Sequence, residues 1–250
     1  MPHAALTARW DQGLPAWGAW LVEDSPASIE TYGQAGFHYV GIDCQHSLLG
    51  EVDAARMLWR FRDAPFAIMV RVSGNDHALI GKLLDSGCDG VIVPGVNNVA
   101  ETRQAVNACR YPPHGQRSLG PIRPGLGINP DALEARTLCL VMIETKEGLE
   151  NVDEICKVPG LSGIYIGPGD LSHGLGMDPG KGFSTDQLQD AYARISKACK
   201  ANGLVLGSHS IDAKFSHQCV AWGCQFVTTG SNQMLLGRAS RELFGELSAE

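Results

Sequence analysis

The chain has 250 residues, 44% of them apolar and 19% charged, which predicts either one large α/β domain or two small domains. Its formal net charge of -7, without a cluster of Lys or Arg, argues against nucleic-acid binding. The sequence begins with no basic segment followed by a short apolar stretch, and no apolar run approaches the roughly 20 residues that cross a bilayer, so we expect no membrane attachment and a cytoplasmic location.

Eight apolar runs bounded by Gly, Pro and Asp predict β-strands. Their near-continuous apolar character predicts strands that are buried on both faces. The predicted strands are residues 18–22, 38–43, 67–72, 90–94, 139–144, 163–167, 203–207 and 225–229.

Most segments between these runs carry apolar residues at helical spacing, and several of them end on Gly. The predicted helices are residues 25–36, 48–62, 76–87, 100–109, 148–158, 185–202, 211–222 and 232–247. The last of these helices either closes the fold or docks on a neighbouring subunit through its apolar side, which carries Leu235, Leu236, Ala239, Leu243 and Phe244.

Alternation of eight strands with helices predicts a single (β/α)8 TIM barrel over residues 1–250. A doubly wound sheet usually has fewer strands and a glycine-rich turn after the first one, and residues 21–26 contain no such turn. The segment 111–129 is too rich in Pro and Gly for a helix or a central strand, and is either a functional or assembly loop or a simple spacer.

Eight cysteines are scattered along the chain without a Cys-x-x-Cys pair. In a chain of this size without a secretion signal, we interpret most of them as small buried apolar residues, in preference to disulfides or metal ligands.

Polar side chains follow several of the predicted strands, where a TIM barrel builds its active site. Glu144 ends the fifth run, and Asp170 follows the sixth through Gly-Pro-Gly. These hard oxygen ligands favour Mg²⁺ or Mn²⁺, with Co²⁺ as a further candidate, and we find no thiolate or second imidazole at a matching strand end to favour zinc. The alternative is that Glu144 caps the next helix and Asp170 forms a turn.

His46 and Arg71 lie at the ends of the second and third runs. Imidazole is the most frequent general base in enzymes, and Asp43 is close enough in sequence to accept the second ring N–H of His46. A guanidinium at the end of an apolar strand needs an anion or a wet pocket, so Arg71 either binds a substrate or forms a structural ion pair with Asp43 or Asp85.

Lysine placement argues against a Schiff-base aldolase, which holds a lysine at a strand end inside the barrel. Lys146 is the nearest candidate, and the others fall in predicted helices or loops: Lys82, Lys157, Lys181, Lys197, Lys200 and Lys214.

Three further features have two interpretations each. Residues 228–232 either cradle a phosphate at a helix N-terminus or supply a helix cap through Ser231 or Asn232. His209 lines the mouth of the pocket or lies in a loop, and Trp20 is interpreted as a packing residue in preference to a substrate contact.

Six segments, in this order and spacing, resemble the HpcH/HpaI family of class II, metal-dependent pyruvate aldolases over nearly the whole chain. They are Gly-Ile-Asp-Cys-Gln-His (41–46), Val-Arg-Val-Ser-Gly-Asn-Asp (70–76), Lys-Leu-Leu-Asp-Ser-Gly (82–87), Ala-Cys-Arg-Tyr-Pro-Pro-His-Gly-Gln-Arg-Ser (108–118), Ile-Glu-Thr-Lys-Glu-Gly (143–148) and Ile-Gly-Pro-Gly-Asp-Leu-Ser (166–172).

The resemblance implies a carbon–carbon lyase that reversibly cleaves 4-hydroxy-2-oxo acids to an aldehyde and pyruvate, or an analogue such as hydroxypyruvate. It implies that Glu144 and Asp170 bind a divalent metal and that Arg71 contacts the keto or enolate oxygen of the substrate. It further implies that His46 and Asp43 form an acid/base pair.

The resemblance also implies an assembly and a second set of contacts. The backbone N–H groups of the segment Gly167, Pro168, Gly169 and Asp170 would hold the substrate carboxylate, and Asp85 would reach the active site of an adjacent subunit. Family members commonly form homo-hexamers, trimers of dimers in which the final helix is exchanged between barrels.

This chain departs from the family pattern at three positions. Gln45 stands where some members carry Glu, Met142 where some carry Gln, and Ser47 where Gly is frequent. Two alternative functions also stay open: an acyl-CoA ester lyase of the citrate lyase β-like type, for which only Arg117 and Arg123 suggest a basic groove, and a non-catalytic barrel that serves as a binding protein.

Overall fold

The computed structural model describes residues 2–178 and 185–249, so Lys181 lies outside the described residues. Eight parallel strands pair in chain order, and the eighth pairs with the first to close a barrel. The strands are β1 (Ala16–Leu21), β2 (Tyr39–Asp43), β3 (Ala67–Arg71), β4 (Gly90–Val93), β5 (Leu138–Ile143), β6 (Gly163–Ile166), β7 (Val205–Ser210) and β8 (Phe226–Ser231).

Helices surround the barrel, and the TIM-barrel prediction is confirmed. The described helices are α1 (Pro2–Asp11), α2 (Pro26–Gln34), α3 (Glu51–Arg60), α4 (His77–Ser86), α5 (Val99–Cys109), α6 (Pro130–Ala135), α7 (Lys146–Glu150), α8 (Val152–Ile155), α9 (Pro168–Gly174), α10 (Asp186–Ala201), α11 (Ala213–Ala221) and α12 (Asn232–Leu247), with a 3₁₀ turn at Pro124–Leu126.

The predicted elements differ from the observed ones in five main respects. Helices α1, α6 and α9 were not anticipated, and the predicted helix 148–158 consists of two short helices, α7 and α8, that meet at Asn151. Strand β7 extends through residue 210, three residues beyond its predicted end, and this extension changes the environment of His209.

Alternating side chains divide the core into two layers. The inner layer fills the barrel with Tyr39, Met69, Tyr165, Phe226 and their neighbours, and Leu6 of α1 belongs to the same cluster. The outer layer packs the strands against the helices and contains all eight cysteines, which are buried and unpaired as expected.

Helix α12 covers the barrel poorly. Asn232 at its start is buried, but further along the helix Leu236, Leu243 and Phe244 are 66%, 58% and 70% exposed. Most of the apolar side predicted from the sequence is therefore uncovered in the single chain, while Leu235 packs against the core.

The segment 111–129 is fixed to α4 by its backbone and by one ion pair. The Ile122 N–H donates to the Asp85 carbonyl, and the Arg117 guanidinium, which is almost fully buried, binds the Asp85 carboxylate at 2.7 Å. No helix in the described parts of the chain has the length and apolar character needed to cross a membrane.

Candidate active site

Seven of the predicted site residues line one cavity of about 310 Å³ at the C-terminal ends of the strands, and Glu144 lies directly behind one of them, Gly167. Asp43 and Arg71 end β2 and β3, where they are register partners, and His46 follows β2 by three residues. Asp170 reaches the same cavity from α9. The full lining is Trp20, Val22, Asp43, His46, Arg71, Met142, Gly167, Pro168, Gly169, Asp170, His209, Ile211, Ser231 and Met234.

Arg71 forms a two-pronged ion pair with Asp43. Its Nε donates to Asp43 Oδ1 at 2.8 Å and its Nη2 donates to Oδ2 at 2.5 Å. Asp43 is 1% exposed, so this pair is buried and its geometry is the one in which guanidinium binds carboxylate most strongly. The ion-pair interpretation of Arg71 is therefore correct for Asp43, while Asp85 pairs with Arg117 outside the cavity.

Asp43 also organises the loop that carries His46. Its Oδ1 accepts the backbone N–H groups of Gln45 at 3.0 Å and His46 at 3.3 Å, and its Oδ2 accepts the indole N–H of Trp20 at 3.2 Å. Burial alone would raise the pKa of Asp43, yet the hydrogen bonds and charge of Arg71 hold that pKa below its ordinary value. The carboxylate thus contacts the backbone of His46 and not its ring, unlike the contact anticipated from the sequence.

Trp20 has a larger role than packing. Besides its hydrogen bond to Asp43, its ring lies 5.3 Å from the guanidinium carbon of Arg71, close enough for a cation–π contact. The ring also stacks on Tyr165 inside the barrel. Sequence reasoning missed the polar contact because a buried tryptophan in a strand looks the same whether or not its N–H has a partner.

Glu144 follows β5 directly and presents one free carboxylate oxygen. Its Oε1 accepts the backbone N–H of Gly95 at 2.6 Å, and Gly95 has a φ of +67°, a conformation that a residue with a Cβ rarely adopts. Oε2 is buried and has no hydrogen-bond partner in the described chain. Helix α7 is capped by Thr145, so the interpretation of Glu144 as a cap is wrong.

Asp170 belongs to the first turn of α9, and the turn interpretation is therefore wrong as well. Burial raises the pKa of Glu144, and the negative charge of Asp170 raises it further, against the opposing hydrogen bond from Gly95. Two neighbouring carboxylates, one with an unsatisfied buried oxygen, are a donor set that a hard divalent cation fits. Within the described residues, no cluster of three or more His, Cys, Asp or Glu side chains could hold a metal, so the protein would contribute two ligands.

Gly167 leaves space for the free oxygen of Glu144. A Cβ at this position would lie 2.8 Å from Oε2 and 3.0 Å from the terminal methyl of Met142. We therefore expect Gly167→Ala to displace the Glu144 carboxylate and to weaken divalent-metal affinity by about 10- to 100-fold, the usual effect of disturbing the support of a ligand.

Calorimetric titration of metal-free protein with Mg²⁺ or Mn²⁺ measures this affinity. Gly174→Ala, at the other end of α9, is the matched control, because a Cβ there meets its nearest neighbour at 3.5 Å, an ordinary contact distance. Unchanged metal affinity in the Gly167 variant would show that this glycine does not support the ligand.

His209 lies in the cavity and not in a loop. It is the fifth residue of β7, and its ring meets the Trp20 ring edge to face at 5.6 Å between centroids. Burial, followed by the charge of Arg71, lowers the pKa of His209 to about 4, so the ring is neutral near pH 7. The expectation that no second imidazole stands at a strand end was wrong, because the predicted strand ended too early.

The remaining candidates lie elsewhere. Lys146 is exposed and faces Glu150 on α7, away from the cavity. Ser231 caps α12 through the Met234 N–H, and the Asn232 amide bridges the Val22 N–H and the Glu23 carboxylate. These contacts favour the capping interpretation of residues 228–232 over phosphate binding.

Sequence comparison now places this arrangement in a family. The family model of HpcH/HpaI aldolase/citrate lyase matches residues 17–239. The chain belongs to this family. It is 35% identical to the hydroxypyruvate/pyruvate aldolase of Rhizorhabdus wittichii over 243 residues, which cover 96% of this chain and 97% of that protein.

Two further proteins are similar to this chain, one in sequence and one in structure. The 2-keto-3-deoxy-L-rhamnonate aldolase of Salmonella gallinarum is 34% identical over 89% of this chain and 85% of its own length. The crystal structure of an HpcH/HpaI aldolase/citrate lyase family protein from Burkholderia cenocepacia superposes with a TM-score of 0.89 at 25% identity, over 99% of this chain and 100% of that one.

Membership of the HpcH/HpaI family confirms the expected reaction class, a carbon–carbon lyase of the aldolase type. Class II aldolases of this family are metal-dependent and act on small molecules.

Proposed function

We propose that this protein catalyses the reversible, metal-dependent aldol cleavage of 4-hydroxy-2-oxo acids to an aldehyde and pyruvate or hydroxypyruvate. The observation that carries the proposal is the buried, unpartnered Oε2 of Glu144 beside Asp170, in a site that also holds Arg71 and His46. A buried carboxylate oxygen without a donor is costly unless a cation or a ligand satisfies it.

Glu144 and Asp170 would hold Mg²⁺ or Mn²⁺, with Co²⁺ as a further candidate, and leave the other coordination positions to substrate and water. When bound, such a cation withdraws electron density from the keto group of a 2-oxo acid and so stabilises the negative charge that develops there during cleavage. The segment Gly167, Pro168, Gly169 and Asp170 borders the same cavity, where the N–H groups of Gly169 and Asp170 would bind the substrate carboxylate.

Arg71 would bind the keto oxygen. Two of the five guanidinium N–H groups are used by Asp43, which leaves three for substrate and fixes the plane of the group. A donor that is already oriented costs no reorganisation as charge builds on the oxygen, which is how such groups lower a barrier.

His46 would move the protons. In the cleavage direction its ring takes the proton of the C4 hydroxyl, the C3–C4 bond breaks to release the aldehyde, and C3 of the resulting enolate is then protonated to give pyruvate. Asp43 is the second member of the proposed pair and acts through the loop, because it holds the backbone of His46 in place.

Removal of metal tests the proposal directly. We expect dialysis against EDTA to lower the rate of pyruvate release from a 4-hydroxy-2-oxo acid by at least about a hundredfold, since a bound cation contributes several kcal/mol of charge stabilisation. Adding Mg²⁺ or Mn²⁺ back should restore the rate, and Ca²⁺ is a useful comparison. Full activity in rigorously demetallated protein would rule out the metal role.

The two alternative functions have less support. Of the two arginines that suggested a CoA groove, Arg117 is buried in its pair with Asp85, and Arg123 lines a separate cavity with Arg62 and Arg136. A non-catalytic barrel gives no reason for the convergence of Arg71, His46, Glu144 and Asp170 on one site.

The proposal includes a homo-hexamer in which α12 packs on a neighbouring copy and Asp85 approaches the neighbour's site. The exposed apolar side of α12 supports it, because contiguous exposed apolar patches mark contact surfaces. Phe244→Asp should shift the protein to smaller species, since burial of such a ring contributes about 2 kcal/mol at each contact.

Sedimentation velocity measures this shift. The control is Glu242→Lys on the same helix, because it changes charge without removing apolar area. A wild-type protein that sediments as a monomer at micromolar concentration would contradict the assembly, while leaving the chemistry of the site untouched. The cytoplasmic location stays a prediction.

A further inference from the structure

His209 faces the inside of the barrel. A Cβ at Gly207, two residues earlier, would collide with the Tyr165 and Phe226 rings of the inner core, so residues 207 and 209 point inward. Ser208 points the other way, where its hydroxyl lies 2.6 Å from the Tyr192 hydroxyl of α10. His209 therefore continues the inner face of β7 to the level of the active site.

The imidazole of His209 has no hydrogen-bond partner in the described parts of the chain. Its ring contact is Trp20, whose own N–H is used by Asp43. In the same cavity, the Ser231 hydroxyl accepts the Met234 N–H. His209 thus presents to this cavity a neutral imidazole that makes no hydrogen bond within the described chain.

A neutral imidazole carries one donor and one acceptor, whereas Arg71 only donates and the ionised Asp170 only accepts. Arg71 therefore suits an acceptor such as a carboxylate or a keto oxygen, and Asp170 suits a cation. A hydroxyl is also both donor and acceptor, and it is the substrate group that a neutral imidazole fits best.

We propose that His209 is a specificity-determining residue that hydrogen-bonds a hydroxyl on the carbon next to a reacting carbonyl, either C3 of the 2-oxo acid or C2 of the aldehyde. The inference rests on the aldolase function proposed above and deepens it, because it assigns the preferred substrates to a hydroxylated class. His209 does not enter the bond-breaking step.

Two variants distinguish the contribution of the His209 nitrogen atoms from that of its aromatic ring. His209→Phe keeps an aromatic ring against Trp20 but removes both nitrogens, whereas His209→Gln keeps a donor and an acceptor but removes the ring. His217→Phe is the matched control, because it makes the same chemical change on an exposed histidine of α11 whose ring contacts Trp17 and does not line the cavity.

Each variant is assayed with two substrate pairs, hydroxypyruvate against pyruvate and glycolaldehyde against acetaldehyde. We expect His209→Phe to lower kcat/KM for the hydroxylated member of one pair by about three- to tenfold, the usual worth of one neutral hydrogen bond, mainly through KM. The other member should change less than about twofold, and His209→Gln should retain most of the preference. The pair that responds identifies which hydroxyl is bound.

An equal loss for both members of both pairs, or no change in either preference, would overturn the inference. Calorimetric binding of hydroxypyruvate and pyruvate to Mg²⁺-loaded protein separates this failure from failure of the proposed function. Wild-type protein that binds hydroxypyruvate more tightly, loses this preference in His209→Phe and yet turns over no substrate would contradict the aldolase proposal and support the role of His209.

Discussion

Glu144→Gln should lower kcat/KM for pyruvate formation by about 10³ or more while leaving the barrel folded. The amide keeps the shape of the side chain and still accepts the Gly95 N–H. It removes the negative charge that a divalent cation needs, and the loss of several kcal/mol of charge stabilisation corresponds to this factor. Calorimetric metal affinity and the rate of pyruvate release check the two parts of the result.

Stability should change in the opposite direction from activity. Burial raises the pKa of Glu144, so the folded state holds the proton more tightly than the unfolded chain does, and the charged carboxylate costs stability above its ordinary pKa. We therefore expect metal-free Glu144→Gln to unfold at the same Tm as metal-free wild type or at a higher one. Added Mg²⁺ should raise the Tm of the wild type only.

The matched control is Glu147→Gln, which makes the same chemical change on an exposed side chain of α7. It should leave metal affinity, rate and Tm at wild-type values. A Glu144→Gln protein that binds Mg²⁺ as tightly as the wild type would remove Glu144 from the metal site. A large drop in the Tm of the metal-free variant would instead indicate that the carboxylate is structural.

Much of this site was predictable because a TIM barrel converts sequence order into spatial position. Apolar runs locate the strands, and the residue that ends a run lies on the catalytic rim. Asp43, Arg71, Glu144 and Asp170 were found in this way. The free Oε2 of Glu144 was not, because it is left free when Oε1 accepts the backbone N–H of Gly95, and a backbone donor leaves no signal in residue types.

The sequence left His209 either at the mouth of the pocket or in a loop, because β7 ends with the polar residues Ser208, His209 and Ser210. Three consecutive polar residues are also typical of a solvent-exposed loop. In the barrel, Ser208 and Ser210 bond Tyr192 and Ser216 of the surrounding helices, while His209 faces the cavity. The polar end of β7 is thus part of the rim where a TIM barrel builds its active site.

Helix α9 was missed for a related reason. Pro168 and Gly169 predict a turn, yet a proline at the first position also favours a helix start, because its fixed φ suits the helix and its missing N–H is not needed there. The choice between the two depends on the tertiary position of the segment, directly after β6. This start carries Asp170 to the cavity.

Arg71→Met should be destabilising as well as inactivating, and the two effects can be separated. The substitution leaves Asp43, 1% exposed, as a buried carboxylate without its cation. Breaking such a pair from one side costs about 3–5 kcal/mol of unfolding free energy. Because Arg71 holds the pKa of Asp43 below its ordinary value, this contribution is present near neutral pH and is lost only as the pH falls through the lowered pKa in acid.

The double variant Asp43→Asn/Arg71→Met removes the uncompensated charge. It should regain most of the lost unfolding free energy, because replacing both members of a buried pair is far less costly than removing one. It should not regain activity, since the donor to the keto oxygen is still missing and His46 has lost the carboxylate that fixes its loop. Arg71→Lys keeps the charge but cannot form both hydrogen bonds, and it should fall between wild type and Arg71→Met in both measurements.

Urea unfolding of metal-free protein and kcat/KM for pyruvate formation measure the two effects. Arg194→Met is the control, because Arg194 forms an exposed ion pair with Asp153 at 3.4 Å, and such pairs contribute less than about 1 kcal/mol. Recovery of activity in the double variant would mean that Arg71 serves only to neutralise Asp43. Recovery of stability alone would mean that one guanidinium both compensates a buried carboxylate and acts on the substrate.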